Sequence, residues 1–90
     1  MFIDWPSDEI DLLREKMLAC PDCEPTGQDE YVIDFFETEA PMSMEIALGE
    51  KTVSVLAAEA LAYDEDMDGW YIHAPITDAA LIQTTLKSLL

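Results

Sequence analysis

Met42, Met44, Ile46 and Leu48 alternate with Ser43, Glu45 and Ala47. A side-chain period of two puts one apolar row on one side of a strand and a more polar row on the other. A strand of this kind needs neighbours in a sheet and a layer over its apolar side, so the segment commits the chain to a sheet with one buried face. Tyr31 to Glu37 has the same rhythm, with Tyr31, Ile33 and Phe35 on one side and Val32, Asp34 and Phe36 on the other; Thr38 to Pro41 turns the chain between the two strands.

Gly49-Glu50 suits a two-residue type II′ hairpin turn, with glycine at the position that needs positive φ. Residues 52–63 admit two readings. Lys51 to Val55 alternates as a strand does, whereas Val53, Leu56, Ala57, Ala60 and Leu61 would make a helical stripe rich in alanine. The strand, running through Tyr63, is preferred. Asp64 to Gly69 reads as an acidic turn and Trp70 to Ala74 as a further strand ended by Pro75.

Helices close both ends of this sheet. Ser7 is read as an N-cap, Asp8 and Glu9 favour the helix dipole, and Ile10, Leu13, Met17 and Cys20 form one apolar stripe stopped by Pro21. The first helix is therefore placed at 8–19, with Asp8, Asp11 and Glu15 outward, and Pro21 to Gln28 is read as a loop. Thr77 is read as the cap of a last helix in which Ala79, Ile82, Leu86, Leu89 and Leu90 share the inner face. Gln83, Thr84, Lys87 and Ser88 share the outer one, and Leu81 fits neither and is expected exposed. The expected fold is a single α+β domain over 1–90, a small antiparallel sheet of three to four strands flanked by an N-terminal and a C-terminal helix, in the order α-β-β-β-β-α.

Charge is the second constraint. The chain holds twenty carboxylates against Arg14, Lys16, Lys51, Lys87 and one His, a net −16, where a magnitude of roughly 2 to 8 keeps a small domain in solution. A compact chain of this length is about 31 Å across, and duplex DNA packs sixteen charges into about 27 Å. Like charges ~7 Å apart repel by ~0.6 kcal/mol even at the dielectric of water, so the excess points to a use, with halophilic adaptation as the bland alternative. Nucleic acid and anionic membrane are excluded as direct partners by repulsion. The excess lies wholly before Gly69, since 69–90 hold only Asp78 and Lys87 as charged groups; the C-terminal segment is read as core or as an apolar contact surface.

Motifs for chemistry are incomplete. Cys20-Pro21-Asp22-Cys23 is a CxxC that closes a helix rather than opening one, and Asp22 and Glu24 disfavour the thiolate that redox work needs. A zinc site needs about four ligands, and His73 is the only further candidate besides carboxylates; Cys20 and Cys23 are read as free thiols, Cys20 packed in the core. Asp64-Glu65-Asp66-Met67-Asp68-Gly69 matches the first half of a calcium loop, but Pro75 stands where the bidentate glutamate belongs. His73 has no Ser or Cys motif to partner it, and no carboxylate pair is placed in an apolar pocket that would split its pKa values. No catalytic residue, metal or cofactor is expected, and the chain is read as a non-enzyme.

Of the aromatic residues near acids, Trp5, Tyr31, Phe36, Tyr63, Trp70 and Tyr71, most are expected in the core. Phe36 on the polar side of its strand, and Tyr63 and Trp70 beside the acidic turn, are the candidates for a contact patch.

These features suggest an inhibitor that mimics nucleic acid and occupies the basic groove of a DNA- or RNA-binding protein or nuclease complex. Asp8, Asp11, Glu15, Asp34, Glu37, Glu39, Asp64, Glu65, Asp66 and Asp68 would stand in for phosphates, with Phe36 as an anchor. In size and charge the chain resembles small phage-encoded anti-CRISPR and anti-restriction proteins, a similarity of composition with no motif matched residue by residue. Two alternatives use the same composition: an immunity protein or antitoxin against a cationic nuclease, and an acidic adaptor or homodimer whose C-terminal helix carries the specificity. No signal peptide and no apolar run of membrane-spanning length is seen, so a cytoplasmic location is expected, the host cytoplasm if the protein is phage-encoded.

Overall fold

A computed structural model describes all ninety residues. Its elements are β1 (Phe2–Asp4), α1 (Ser7–Ala19), β2 (Cys23–Gly27), β3 (Glu30–Phe35), β4 (Met42–Leu48), β5 (Thr52–Asp64), β6 (Gly69–Pro75) and α2 (Ala79–Lys87). All strands join one antiparallel sheet in the order β1-β5-β4-β3-β2, with β6 also paired to β5. The fold is α+β with one helix towards each end of the chain, as the alternation and the two stripes require.

The alternating rows behave as their period dictates. Tyr31, Ile33 and Phe35 of β3 and Met42, Met44, Ile46 and Leu48 of β4 are all buried, and the residues between them are not. Ile10, Leu13 and Met17 of α1 and Ile82 and Leu86 of α2 cover this row, and with Ile3, Trp5, Val53, Val55 and Ala58 they make one contiguous core. Leu13 has no exposed surface; truncating such a residue to alanine costs about 2–5 kcal/mol. Both helices thus serve one face of the sheet, and the other face is left open.

Two short strands join those expected. Cys23–Gly27, read as a loop because of Pro25 and Gly27, pairs with β3 through a register shift between Pro25 and Gly27. Proline is tolerated there because β2 is an edge strand, where a missing N–H breaks no inner ladder. Phe2–Asp4 pairs with Thr52–Ser54.

The ambiguity over 52–63 resolves as strand, and its cause is a β-bulge. Glu45 pairs with Ala57 and Ile46 with Val55, leaving Leu56 extra. Val55 and Ala58 are therefore both buried while Leu56 and Ala57 are exposed, an inward spacing of three that mimics a helical period.

Local signals were corrected at four places. Ser7 is the first helical residue rather than the cap; Pro6 stands at the N-cap without a side-chain hydrogen bond, and its carbonyl accepts from Ile10 N at 3.0 Å. The cap of α2 is Asp78, not Thr77, because its carboxylate accepts from the backbone N–H of Ala80 (3.0 Å) and Leu81 (3.2 Å). Gly49 has no positive φ, so the β4–β5 connection is not a type II′ turn; Gly49 N donates to Thr52 O at 2.9 Å across a three-residue loop. Leu81 is half-buried against the core rather than exposed, and Ala79 and Leu90 of the expected inner face are exposed instead.

The molecule measures 43 × 25 × 22 Å, longer than a compact chain would be. The cause is the outer part of β5 with β6, a hairpin arm that carries no helix layer and in which residues 69–75 are all exposed or half-buried.

Candidate functional site

The register of the sheet assembles the open face. Glu24 pairs with Val32, Val32 with Glu45 and Glu45 with Ala57; one step along, Asp34 pairs with Ser43 and Ser43 with Glu59. Strands lie ~4.8 Å apart and alternate residues ~6.7 Å apart along a strand. Because the two rows are offset by one strand, the four carboxylates run from β2 to β5 and occupy an area of about 14 by 7 Å. A neutral residue separates the two acids in each row, so none of the four faces another of them directly across a strand pair, the arrangement that costs most; Asp34 does lie opposite Asp22, whose carbonyl accepts from Asp34 N at 3.1 Å. A shallow depression of about 200 Å³ lined by Val32, Ser43, Met44, Glu45, Ala57 and Glu59 lies between the rows.

Further along the same face the surface becomes aromatic. Leu61 pairs with Ile72 and Tyr63 with Trp70, so all four project from the open side of the arm. Phe36, just past the end of β3, brings its ring to 5.2 Å from that of Trp70, and Tyr63 meets Trp70 edge-on at 5.4 Å. Trp70 is 42 % exposed and Ile72 62 %. Of the six aromatic residues named above, only Trp5 and Tyr31 are in the core; the arm has no second layer to bury the rest.

The arm ends in the acidic turn. Asp64 Oδ1 accepts from the backbone N–H of Asp66 (2.9 Å) and Met67 (3.3 Å), which closes the turn. Asp68 adopts a left-handed φ of 50° and accepts a hydrogen bond from the Tyr63 hydroxyl, which raises the pKa of that phenol. Asp64 and Asp68 of the half calcium motif are thus engaged in holding the turn, and no group of three or more potential metal ligands converges anywhere in the chain.

The sequence-derived candidates divide into two sets. Asp34, Phe36, Glu37 and Glu39 lie at the end of β3 and in the connection after it, next to the arm that carries Asp64, Glu65, Asp66 and Asp68. Asp8, Asp11 and Glu15 lie on the outer side of α1, in the helix layer behind the sheet, where Asp11 is bound by Arg14 Nη1 at 2.9 Å. Glu24, Glu45 and Glu59 were missed. The signal for Glu45 was its place in the polar row of β4; Glu24 and Glu59 needed the strand β2 and the bulge to be known.

The cations are all elsewhere. Arg14 binds Asp29 and Asp11 on the helix side, Lys16 ends α1, Lys51 is in the β4–β5 loop, and Lys87 sits over the Trp5 ring at 5.7 Å. The two thiols are free. Cys23, rather than Cys20, packs against the core, and burial, then hydrogen bonding to Cys20 and the charges of Asp22 and Asp34, push its thiol up to about 12. His73 is the extra residue of a second bulge, opposite Ala60 and Leu61, and its ring lies 6.3 Å from that of Tyr71. Ile82 and Leu86, the apolar centre of α2, are spent on the chain's own core. No helix is long and apolar enough to cross a membrane. No protein-family model, curated protein or solved structure matches the chain.

Proposed function

We propose that the chain acts by binding rather than by catalysis, as an acidic inhibitor that occupies the basic groove of a DNA- or RNA-binding protein. The observation that carries this reading is the division of charge across the sheet. Glu24, Asp34, Glu45 and Glu59 share the open face with no lysine or arginine among them, and the acidic turn extends the row along the arm. Sixteen net charges over a long axis of 43 Å, counted over both layers, is one per about 2.7 Å, more dilute than the ~1.7 Å of a duplex. A face of 43 by 25 Å has an area of about 1,000 Å², against the ~800 Å² that each partner buries in a standard protein interface.

Carboxylates accept the same charge-assisted hydrogen bonds from Lys and Arg as phosphates do, and opposed potentials steer the two surfaces together. The resemblance in size and charge to phage anti-defence proteins supports a target among nucleases that attack phage DNA, with action in the host cytoplasm. The test is affinity purification with the tagged chain, followed by a salt titration of the recovered complex. Recovery of a basic nucleic-acid-binding protein, with affinity falling at least tenfold between 50 and 500 mM salt, is the expected result. Recovery of no such partner, or an affinity indifferent to salt, overturns the mechanism.

A further inference from the structure

We infer that the open side of the β5–β6 arm is an arginine-receiving surface, with the rings of Phe36, Tyr63 and Trp70 as its stacking platform. The inference rests on the proposed binding mode and adds the chemistry by which the partner is held. Three exposed rings form one aromatic cluster, Phe36 tilted at 45° to Trp70 and Tyr63 edge-on to it at 69°, with centroids 5.2 and 5.4 Å away, so that separate ring faces are offered beside Ile72 and Leu61. The cluster is bounded on one side by Asp34 and Glu59 and at the tip by the acidic turn. An exposed apolar surface in this setting favours one kind of occupant, a flat cation.

Arginine meets both demands at once. Its guanidinium stacks face-on to an aromatic ring, is more weakly hydrated than an ammonium, and still directs N–H groups sideways to carboxylates in the plane of its fork. Lysine, a compact and strongly hydrated charge, satisfies the carboxylates and gains less from the rings. The chain cannot fill the platform itself. Arg14 is held by two aspartates on the helix side, and the one cation set over a ring, Lys87 on Trp5, is remote from the arm.

Charge complementarity decides against the other occupants. Single-stranded nucleic acid also stacks on exposed aromatic residues, but such sites line cationic grooves, whereas this platform is rimmed by acids. A second copy of the chain would bring −16 against −16 and has no free arginine to offer.

The probes are nona-arginine, nona-lysine and a nine-nucleotide oligothymidine, each titrated into the full chain at 50 mM salt by calorimetry. Trp70 fluorescence serves as the local readout, since Trp5 is buried. The expected result is binding of nona-arginine at least about fivefold tighter than nona-lysine, with a change in Trp70 emission, and no binding of the oligothymidine. Trp70→Leu with Tyr63→Leu brings nona-arginine down to the nona-lysine affinity. Phe36→Leu, at the rim of the platform, gives a partial loss, and circular dichroism and Trp5 emission check the fold of each variant. Equal binding of the two peptides, unchanged in the leucine variants, overturns the platform and leaves the acidic binding mode standing. Failure of both peptides to bind overturns the two together. Binding of the oligothymidine, or a dimer in sedimentation that the leucine variants abolish, assigns the platform to another occupant and overturns the inference.

Discussion

Arg14 Nε donates to Asp29 Oδ1 at 2.7 Å, tying the middle of α1 to the turn between β2 and β3. Asp29 adopts a left-handed φ of 56°, and its carbonyl accepts from Leu48 N at 2.8 Å, so one residue joins the helix, the turn and the end of β4. The contact with Asp29, ahead of that with Asp11, raises the pKa of the guanidinium. It is one of only two ion pairs in a chain of twenty carboxylates.

Arg14→Gln therefore leaves Asp29 and Asp11 uncompensated and should destabilise by about 1 kcal/mol, towards the upper end for a partly exposed pair. Asp29→Asn keeps a side chain that tolerates left-handed backbone and removes one unit of excess charge, so it should cost less than half as much. Urea unfolding of the two variants measures the difference; equal losses would show that the charge of Asp29, not the loss of compensation for Asp11, carries the effect.

The cap of α2 gives a sharper contrast between neighbours. Asp78→Ala removes the acceptor for two backbone N–H groups and should cost about 1 kcal/mol, about 4–8 °C in Tm for a domain of this size. Thr77→Ala should leave Tm within 2 °C. A larger effect at Thr77 than at Asp78 in differential scanning calorimetry would contradict the observed cap.

Alkaline pH should act through Cys23. Its folded-state pKa, about 12, lies above the ordinary thiol value of 9.0. The fold therefore favours the neutral thiol, so this contribution to stability is complete below pH 9 and is lost as pH rises from about 9 to about 12. The raised phenol of Tyr63 acts in the same direction. The expected outcome is a Tm that falls across this window, with a shallower fall in Cys23→Ala. An identical slope in the variant would place the alkaline sensitivity elsewhere.

The two acidic sets face opposite layers, so one partner surface cannot cover both. Charge reversal at Asp34 and Glu59 should weaken binding to the target at least tenfold, while reversal at Asp8 and Glu15 should change it less than threefold, chiefly through the on-rate. Surface plasmon resonance on the purified complex separates them. The opposite ranking would move the binding face to α1.

How far these features were legible in the sequence follows from how local their causes are. The rows Tyr31–Phe35 and Met42–Leu48 and the stripe Ile10–Leu13–Met17 announce themselves because burial repeats with the backbone period. β2 was hidden because Pro25 and Gly27 are signals of a loop everywhere except on an edge, and edge position is a property of the assembled sheet. The bulge at Leu56 left β5 open to a helical reading by breaking its period, although the strand was still the preferred one. Asp34 and Phe36 could be named as outward residues of one strand, but the company of Glu24, Glu45, Glu59 and Trp70 depends on register across five strands. Caps failed by one residue each: Thr77 and Asp78 are adjacent polar residues between which only geometry chooses, and Ser7 yields to Pro6, which has no side-chain acceptor to signal a cap.

β5 runs unbroken from Thr52, between β1 and β4, to Asp64 at the turn of the arm. The arm is therefore a cantilever rooted in the core rather than a tethered flap. Its inner half is clamped on both edges and roofed by helices, while its outer half is held by β6 along one edge. A load applied at the tip is carried along β5 to Val55 and Val53 and along β6 to Ile76, whose N–H donates to Ala58 O and whose side chain packs against the core, and the segment free to flex is the one bearing Tyr63 and Trp70. Capture of that segment would stiffen the far end of a beam whose near end is already fixed, leaving only a short length of chain to lose its freedom.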